Sequence, residues 1–389
     1  TVGENVCGMD PEATFDSRGK VKASPDLARR VENYRRHWDG KHGDIVVQTN
    51  VEDQRAGTDV YAIKKLGVTT IERKWGQGAK AIGGEVRVFD LERALMLKKR
   101  GYVLVPDPED KEVQEAFRRG VFHSFERHSR VGMPEASSFV EDIQWLRAQG
   151  AKRVFLKTGA YNPAAVAFTM RCASEARVDM ETFDGAGGGT GMSPVPMMQE
   201  ASTPTVYLLA QVMKALDILR MKGKYIPDIA FAGGFACETQ IFKGIAMSNL
   251  GFGQGPYVKA IAMARAPLAA VMKSDYFVEL AAQGKLPPKF AKDYGASPEQ
   301  FFVCSPDFRS RNGDGLGSSI PWPALGLYTY FVDRLGVGLR QLMAGCRKFK
   351  LNLLDRHDMA ALTPHAAHVT GVAPVWEFNE ELFRNMLDY

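Results

Sequence analysis

The sequence predicts an α/β protein built around a parallel sheet, and three observations support this prediction. From Asp44 onward, short apolar runs rich in β-branched residues alternate with amphipathic segments. Several of the runs end in glycine-rich turns. No repeat of about 20 to 50 residues is present, so a solenoid is excluded. Buried parallel strands joined by helices have this pattern, which is the same for an open sheet and for a closed barrel.

Length and composition exclude several classes of protein. The 389 residues fit two or three domains, or one α/β barrel with extensions. A net charge of +5 without a dense basic block does not predict a nucleic-acid partner. No run of about 18 apolar residues occurs, so no membrane span is predicted. Five scattered cysteines predict a cytoplasmic protein with no disulfide framework and no Cys-rich zinc or iron–sulfur site in this chain.

The individual elements follow from local patterns. Seven runs predict strands: Ile45–Val47, Thr69–Ile71, Tyr102–Val105, Val154–Leu156, Met180–Phe183, Ile229–Ala232 and Val258–Met263. A capping box at Ser138, Asn162-Pro163 and Thr203-Pro204 predict three helix starts. We expect a barrel over residues 1–280, an irregular surface excursion over 281–325, and a helical extension over 326–389.

Two glycine-rich turns follow predicted strands. The first contains Asp184, Gly185, Gly187, Gly188, Gly189, Thr190 and Gly191. Its backbone N–H groups can approach a planar or anionic ligand closely, although a plain strand-to-helix turn is the alternative. The second is Gly233-Gly234, which ends the strand before the last one, and Arg265 follows the last strand. In α/β barrels these two strand ends form the usual phosphate site.

Two further features carry polar groups. The loop Trp75–Glu85 combines four glycines with Gln77 and Lys80. Lys157 ends a predicted buried strand, where a cation could stabilise charge on a reduced flavin, or could lie at the surface. The seven histidines lack the spacing of a metal site, and no metal is predicted.

Five stretches together resemble the FMN-binding synthase domain of glutamate synthases and of N-methylglutamate synthase subunits. They are TVGENVCGMDPE, IERKWGQGAKAIGGE, VFLKTGA, TFDGAGGGTGMSP and PDIAFAGG, in the family's order. A C-terminal stretch, MAGCRKFKLNLLDRHDMAALTP, is similar to the family's helical tail. The resemblance covers roughly residues 1 to 275 and implies a (β/α)8 barrel with FMN at its C-terminal face.

The resemblance also implies residue roles. Gln77 and Lys157 would contact the flavin, and Asp184 to Gly191 would lie beside it. Gly233, Gly234 and Arg265 would hold its phosphate. Lys80, Gln77 and Glu4 would serve the reaction, in which reduced FMN delivers hydride to the imine formed from ammonia and a 2-oxo acid. The implied protein is a flavoenzyme of glutamate biosynthesis that acts on CH–NH2 donors.

This chain departs from the family pattern in ways that change which subunits and ligands we expect. It has no counterpart of the family's Cys triplet for a [3Fe–4S] cluster and no Cys glutaminase domain. We therefore expect other subunits of a complex to supply electrons and ammonia or an amine. Ala262-Met263 replaces the usual Gly-Thr, and Glu85 stands where Gln is usual. We also expect the first barrel strand to lie outside this chain.

Two alternatives remain at this stage. Methylamine could replace ammonia, as in N-methylglutamate synthase. Because the phosphate and substrate loops are altered, a flavin-free barrel that acts as a scaffold or regulatory subunit is also compatible with the sequence.

Overall fold

A computed structural model describes residues 6–75, 85–128, 135–188, 200–302 and 320–388. The chain divides into two compact units, Thr1–Gly233 and Gly234–Tyr389. Each unit is described by itself below. The predicted boundaries near residues 280 and 325 both fall inside the second unit, and they stay predictions.

The first unit is a mixed α/β structure. Its described strands are β1 (Thr14–Phe15), β2 (Val21–Ala23), β3 (Val46–Thr49), β4 (Thr70–Lys74), β5 (Glu85–Val88), β6 (Val103–Val105), β7 (Phe125–His128), β8 (Arg153–Thr158), β9 (Met180–Asp184) and β10 (Asp228–Ala232). Five of them run parallel in the order β10-β9-β8-β4-β3, which confirms the predicted parallel sheet. These five strands alone do not close a barrel, so closure stays a prediction.

One predicted strand has a different partner. Tyr102–Val105 was expected in the parallel sheet, but β6 lies in a small antiparallel sheet of order β5-β7-β6. Val103 and Val105 are about half exposed, so only Leu104 points into a core. An edge strand with one buried face alternates in this way, and a short apolar run does not reveal it.

Helices connect the strands of the first unit. Their bounds are Val6–Met9, Pro25–His37, Val51–Ala56, Thr58–Lys64, Leu91–Lys99, Lys111–Arg118, Ala136–Ala148, Pro163–Glu175 and Thr205–Met221. The predicted cap at Asn162 is confirmed, because its side chain accepts a hydrogen bond from the Ala165 amide and Pro163 opens the helix.

The other two predicted helix starts are wrong in detail. Ser138 lies inside a helix that already begins at Ala136, and its hydroxyl donates to the Glu135 carbonyl. The helix predicted to begin at Pro204 begins at Thr205, so the proline occupies the cap position.

The main apolar core lies between the parallel sheet and the helices on one of its faces. Val47, Ile71, Val154 and Leu156 are fully buried on that face of the sheet. They pack with residues of the helices Ala136–Ala148 and Pro163–Glu175, among them Ile143, Leu146, Cys172 and Ala173. Burying one such aliphatic side chain contributes about 1.5–3 kcal/mol. The core therefore stabilises one face of the sheet and leaves the other face for different residues.

The second unit is largely helical. Its helices are Glu238–Met247, Arg265–Ala282, Pro288–Tyr294, Pro298–Phe301, Trp322–Tyr328, Val337–Gly345, Pro364–Thr370 and Glu380–Asn385, with a π-helical segment at Thr329–Gly336. Its strand is β11 (Val258–Ala262), as predicted. The helices Arg265–Ala282 and Trp322–Tyr328 pack closely, because a Cβ at Gly326 would lie 1.9 Å from the Ser274 hydroxyl oxygen. The described part of the expected excursion contains two short helices.

Candidate functional site

The face of the parallel sheet opposite the core is polar. Because side chains alternate along a strand, every second residue of the five strands lies on this inner polar face. Six side chains define it: Gln48, Glu72, Lys74, Lys157, Thr182 and Asp184. The register supports this grouping, since Gln48 pairs with Glu72, and Lys157 pairs with both Lys74 and Thr182.

These six side chains are largely buried. Gln48, Glu72, Lys74, Thr182 and Asp184 are each less than a tenth exposed, and the Lys157 side chain is 18% exposed. Charged groups are seldom buried unless they are paired or serve a function, because desolvation costs several kcal/mol. A buried surface with two ammonium groups and two carboxylates is therefore the strongest indication of a site in the first unit.

Glu72 is the best-connected member of the face. The Gln48 side-chain amide donates to one oxygen of its carboxylate, and the Thr182 hydroxyl donates to the other at 2.8 Å. Strand β8 lies between the strands that carry Thr182 and Glu72. In a flat sheet those strands are roughly 9.6 Å apart, twice the usual spacing, so a short threonine reaches Glu72 only where the sheet curves. The inner polar face is therefore concave.

The predicted residues Lys157 and Asp184 meet at the carboxyl ends of β8 and β9. Lys157 Nζ lies 3.2 Å from Asp184 Oδ2, and the Asp184 side chain is 6% exposed. This distance permits a charge-assisted hydrogen bond. The lysine thus does not face the site as an isolated cation, because its charge is balanced locally by the aspartate.

The glycines at the ends of β9 and β10 permit close backbone contact. The Gly185 amide donates to the Ala232 carbonyl at 2.8 Å. A Cβ at Gly185 would lie 2.3 Å from the Thr205 hydroxyl oxygen, and a Cβ at Gly233 would lie 2.6 Å from the Gly185 nitrogen. The Thr205 hydroxyl also donates to the Gly233 carbonyl at 2.8 Å. Packing within the protein is thus enough to require glycine at both positions.

Two other glycines have distinct surroundings. A Cβ at Gly188 would lie 1.6 Å from Asp184 Oδ1, so the turn encloses the aspartate that pairs with Lys157. Gly234 has a φ of +87°, and no described atom lies within 4 Å of the place for its Cβ.

The structure brings together only some of the predicted site residues. Six predicted residues lie at the adjacent ends of β8, β9 and β10: Lys157, Asp184, Gly185, Gly187, Gly188 and Gly233. Gly234 begins the second unit, and Arg265 is the first residue of a helix in that unit. The remaining predicted residues lie outside the described part of the chain: Glu4, Gln77, Lys80, Gly189, Thr190 and Gly191.

Four members of the inner polar face were missed by sequence reasoning: Gln48, Glu72, Lys74 and Thr182. A signal was available, because Glu72 and Lys74 are two residues apart in the run TIERK, as are Thr182 and Asp184 in METFD. Polar residues at this spacing with an apolar residue between them, as Phe183 lies between Thr182 and Asp184, are typical of a strand with one polar face. Between Glu72 and Lys74 the charged Arg73 hides this alternation. The predicted strand ended at Ile71 and so excluded the first pair.

Charged groups also lie buried on the helix side of the sheet. Arg73 is paired with Asp59 at 3.1 Å and with Asp142 at 3.2 Å. Glu181 is fully buried, and the neighbouring Thr169 hydroxyl, which donates to the Val166 carbonyl, offsets only part of the effect of that burial. Burial raises the pKa of Glu181 to about 8, so this residue holds a proton at neutral pH. It lies on the core side, and we assign it no part in the site.

The described residues give no support for a metal site, a disulfide or a membrane-spanning helix. No cluster of three or more potential metal ligands occurs in them. Cys172, Cys237 and Cys346 are free thiols. None of the helices in the described residues is both long and apolar enough to cross a lipid bilayer.

Comparison with known families identifies the region that carries these strand ends. Residues 126–263 match the conserved region in glutamate synthase. The resemblance to the glutamate synthase family is thereby confirmed over about a third of the chain. The matching residues of this chain include β8, β9 and β10. They therefore include the Lys157–Asp184 pair and the glycines at the ends of β9 and β10.

Other comparisons add little. No curated protein matches the chain. Among solved structures, the chain is similar to a FabK mutant from Thermotoga maritima, with 12% sequence identity and a TM-score of 0.38. The similarity covers 83% of this chain and 82% of that chain. A similarity this remote supports no statement about function.

Proposed function

We propose that this chain is an FMN-dependent oxidoreductase of the glutamate synthase type that reductively aminates a 2-oxo acid within a multi-subunit complex. The match of residues 126–263 to the conserved region in glutamate synthase carries the proposal. Bound FMN would supply hydride for reduction of the imine that a 2-oxo acid forms with ammonia. The complex, the cytoplasmic location and the source of electrons belong to the proposal as well.

The residues at the strand ends are compatible with a flavin. The Gly185 and Gly188 amides already donate to the Ala232 and Gly185 carbonyls, so in this proposal the flavin would approach the backbone at the ends of β9 and β10 by shape and not through these two N–H groups. Lys157 lies at the same edge and can donate a hydrogen bond to an electron-rich atom of the ring.

The charge of the inner polar face bears on the substrate. Lys74 and Lys157 carry two positive charges, and Glu72 and Asp184 carry two negative ones, so these four groups sum to zero. A 2-oxo acid with two carboxylates would therefore need another cation. The resemblance assigns that role to Lys80. Within the described residues, the face would orient the substrate and restrict water rather than supply net attraction.

A flavin-binding measurement is the first test. We expect the purified chain to carry flavin absorbance bands or to acquire them with added FMN, and chromatography of the released chromophore should identify FMN. Lys157→Met should weaken FMN binding, whereas Arg171→Met, which removes an exposed ion pair with Glu175, should leave it unchanged. A chain that neither contains nor takes up FMN would contradict the proposal and favour the scaffold alternative.

A turnover measurement tests the reaction itself. FMN bound to the chain is reduced chemically without oxygen, and a 2-oxo acid is added with ammonium or with methylamine. We expect reoxidation of the flavin only when the oxo acid and an amine are both present. The faster amine distinguishes glutamate synthase chemistry from N-methylglutamate synthase chemistry. Flavin that stays reduced with every oxo acid and amine would contradict reductive amination.

A further inference from the structure

Lys157 has a carboxylate within reach in both directions along the inner polar face. In register, it lies between Lys74 on β4 and Thr182 on β9. Glu72 is two residues nearer the amino end of β4, and Asp184 is two residues nearer the carboxyl end of β9. Such diagonal neighbours on adjacent strands are about 7–8 Å apart, a distance that a lysine side chain spans. The direction of the side chain therefore decides whether its ammonium group lies at the carboxyl ends of the strands.

The Lys157 side chain turns toward the carboxyl ends of the strands. Its Nζ lies 3.2 Å from Asp184 Oδ2. Glu72 competes less well for the ammonium group, because its two oxygens already accept hydrogen bonds from Gln48 and Thr182. The Lys157 side chain is 18% exposed, so a ligand at the strand ends can reach it.

The turn after β9 fixes the carboxylate of Asp184. The Asp184 side chain is 6% exposed. A Cβ at Gly188 would lie 1.6 Å from Asp184 Oδ1, so the backbone of the turn closes against that oxygen. The Gly188 amide donates to the Gly185 carbonyl at 2.8 Å, which holds the turn in this shape. An enclosed carboxylate has few conformations, and it therefore directs the lysine more precisely than an exposed partner would.

We propose that Asp184 is a positioning residue, which holds the ammonium group of Lys157 at the strand ends, where it stabilises reduced FMN. This inference rests on the proposed function, in which Lys157 donates to an electron-rich atom of the flavin ring. Without Asp184, attraction to Glu72 would draw the ammonium group away from the strand ends. The competing explanation is charge balance, in which Asp184 cancels the charge of the lysine but does not determine where the ammonium group lies.

A double-mutant cycle on the FMN-loaded chain separates these explanations, with the reduction potential of the flavin as the readout. In the natural background, Lys157→Met should weaken the binding of reduced relative to oxidised FMN roughly 10- to 100-fold, the effect of losing a charge-assisted hydrogen bond. This loss lowers the two-electron potential by about 30–60 mV. In the Asp184→Ala background, the same substitution should change the ratio less than about twofold, because the ammonium group has already left the strand ends. Charge balance predicts an effect at least as large as in the natural chain, because the cation is no longer cancelled.

Two further backgrounds test position without removing the bulk of the side chain. Asp184→Asn keeps the shape of the residue, which maintains the test if Asp184→Ala does not fold. Gly188→Ala keeps both charges, but its Cβ must displace Asp184 Oδ1. In each background, Lys157→Met should lose at least about half of its effect on the potential. Asp107→Ala is the matched control, because it breaks an exposed ion pair with Lys98 and should leave the full effect of Lys157→Met.

The outcomes distinguish this inference from the proposed function. An effect of Lys157→Met that is equal in the natural chain and in every folded altered background would overturn the positioning role, while FMN binding and the proposed function would stand. A potential that Lys157→Met does not change in the natural chain would also overturn the positioning role alone. A chain that takes up no FMN would overturn both.

Discussion

The buried carboxyl of Glu181 should make the stability of the first unit depend on pH in a direction opposite to the usual one for acidic residues. Burial raises its pKa from 4.5 to about 8, and a hydrogen bond from Thr169 opposes this shift only in part. Below the lower value both the folded and the unfolded state hold the proton, and the full stability is present. As the pH rises, the unfolded state loses the proton first, so the free energy of unfolding falls until the folded state also ionises.

The size of the effect follows from these two values. Stability changes by about 1.4 kcal/mol for each pH unit over which only the folded state holds the proton. From about pH 5 to about pH 8 the loss is therefore as much as about 4 kcal/mol. Glu181→Gln has a similar shape and no ionisable group, so it should remove this loss. The variant should match the natural chain near pH 4 and exceed it near pH 8.

Urea unfolding at several pH values, followed by tryptophan fluorescence, to which the partly buried Trp75 of the core contributes, measures the difference between the two proteins. Other titrating groups are common to both and cancel in the difference. Glu175→Gln is the control, because it makes the same substitution at a carboxylate that is 44% exposed on a neighbouring helix. Equal pH profiles for the natural chain and Glu181→Gln would refute the reasoning, since they would mean that Glu181 ionises as it does in water.

Two further predictions concern packing and a buried ion pair. Gly233→Ala should lower the free energy of unfolding by about 2–4 kcal/mol, because the new Cβ would press on the Gly185 nitrogen and the φ of residue 233 is +101°. Gly234→Ala should lower the free energy of unfolding by only about 1–2 kcal/mol, because it introduces backbone strain alone. Equal losses of unfolding free energy for the two glycine variants would show that the close contact is not the cause.

Arg73→Met should lower the free energy of unfolding by about 3–5 kcal/mol at pH 7, because it leaves Asp59 buried without its cation. The double variant Arg73→Met/Asp59→Leu should recover much of that free energy. A double variant no more stable than the single one would contradict this explanation.

The sequence predicted the central strands well because they are short, apolar and followed by glycine. The strands at Val154, Met180 and Ile229 each lie within an observed parallel strand, and the glycines after two of them do lie at one edge of the sheet. This success has a physical origin, since buried parallel strands need apolar residues on the helix side and tight turns need glycine.

The failures also have physical causes. The run at Tyr102 has the composition of a buried strand, but its neighbours in space are antiparallel strands, and composition does not determine the partner. Glu72 and Lys74 lie outside the predicted strand because that strand was read from its apolar residues alone, and the contact of Glu72 with Gln48 and Thr182 is visible only in three dimensions. Ser138 failed as a cap because the helix starts earlier, at Ala136.

Core and polar residues occupy alternate positions of the same strands. This separation determines which substitutions the sheet can accept. Gln48, Glu72 and Thr182 contribute nothing to the apolar packing that involves Val47, Ile71 and Leu156 on the other face. Exchanging the first three together for another mutually bonded polar set would alter the inner polar face while the sheet stays anchored to its helices. Laboratory evolution toward a new ligand has the most freedom at those three positions and the least at their immediate neighbours along the chain.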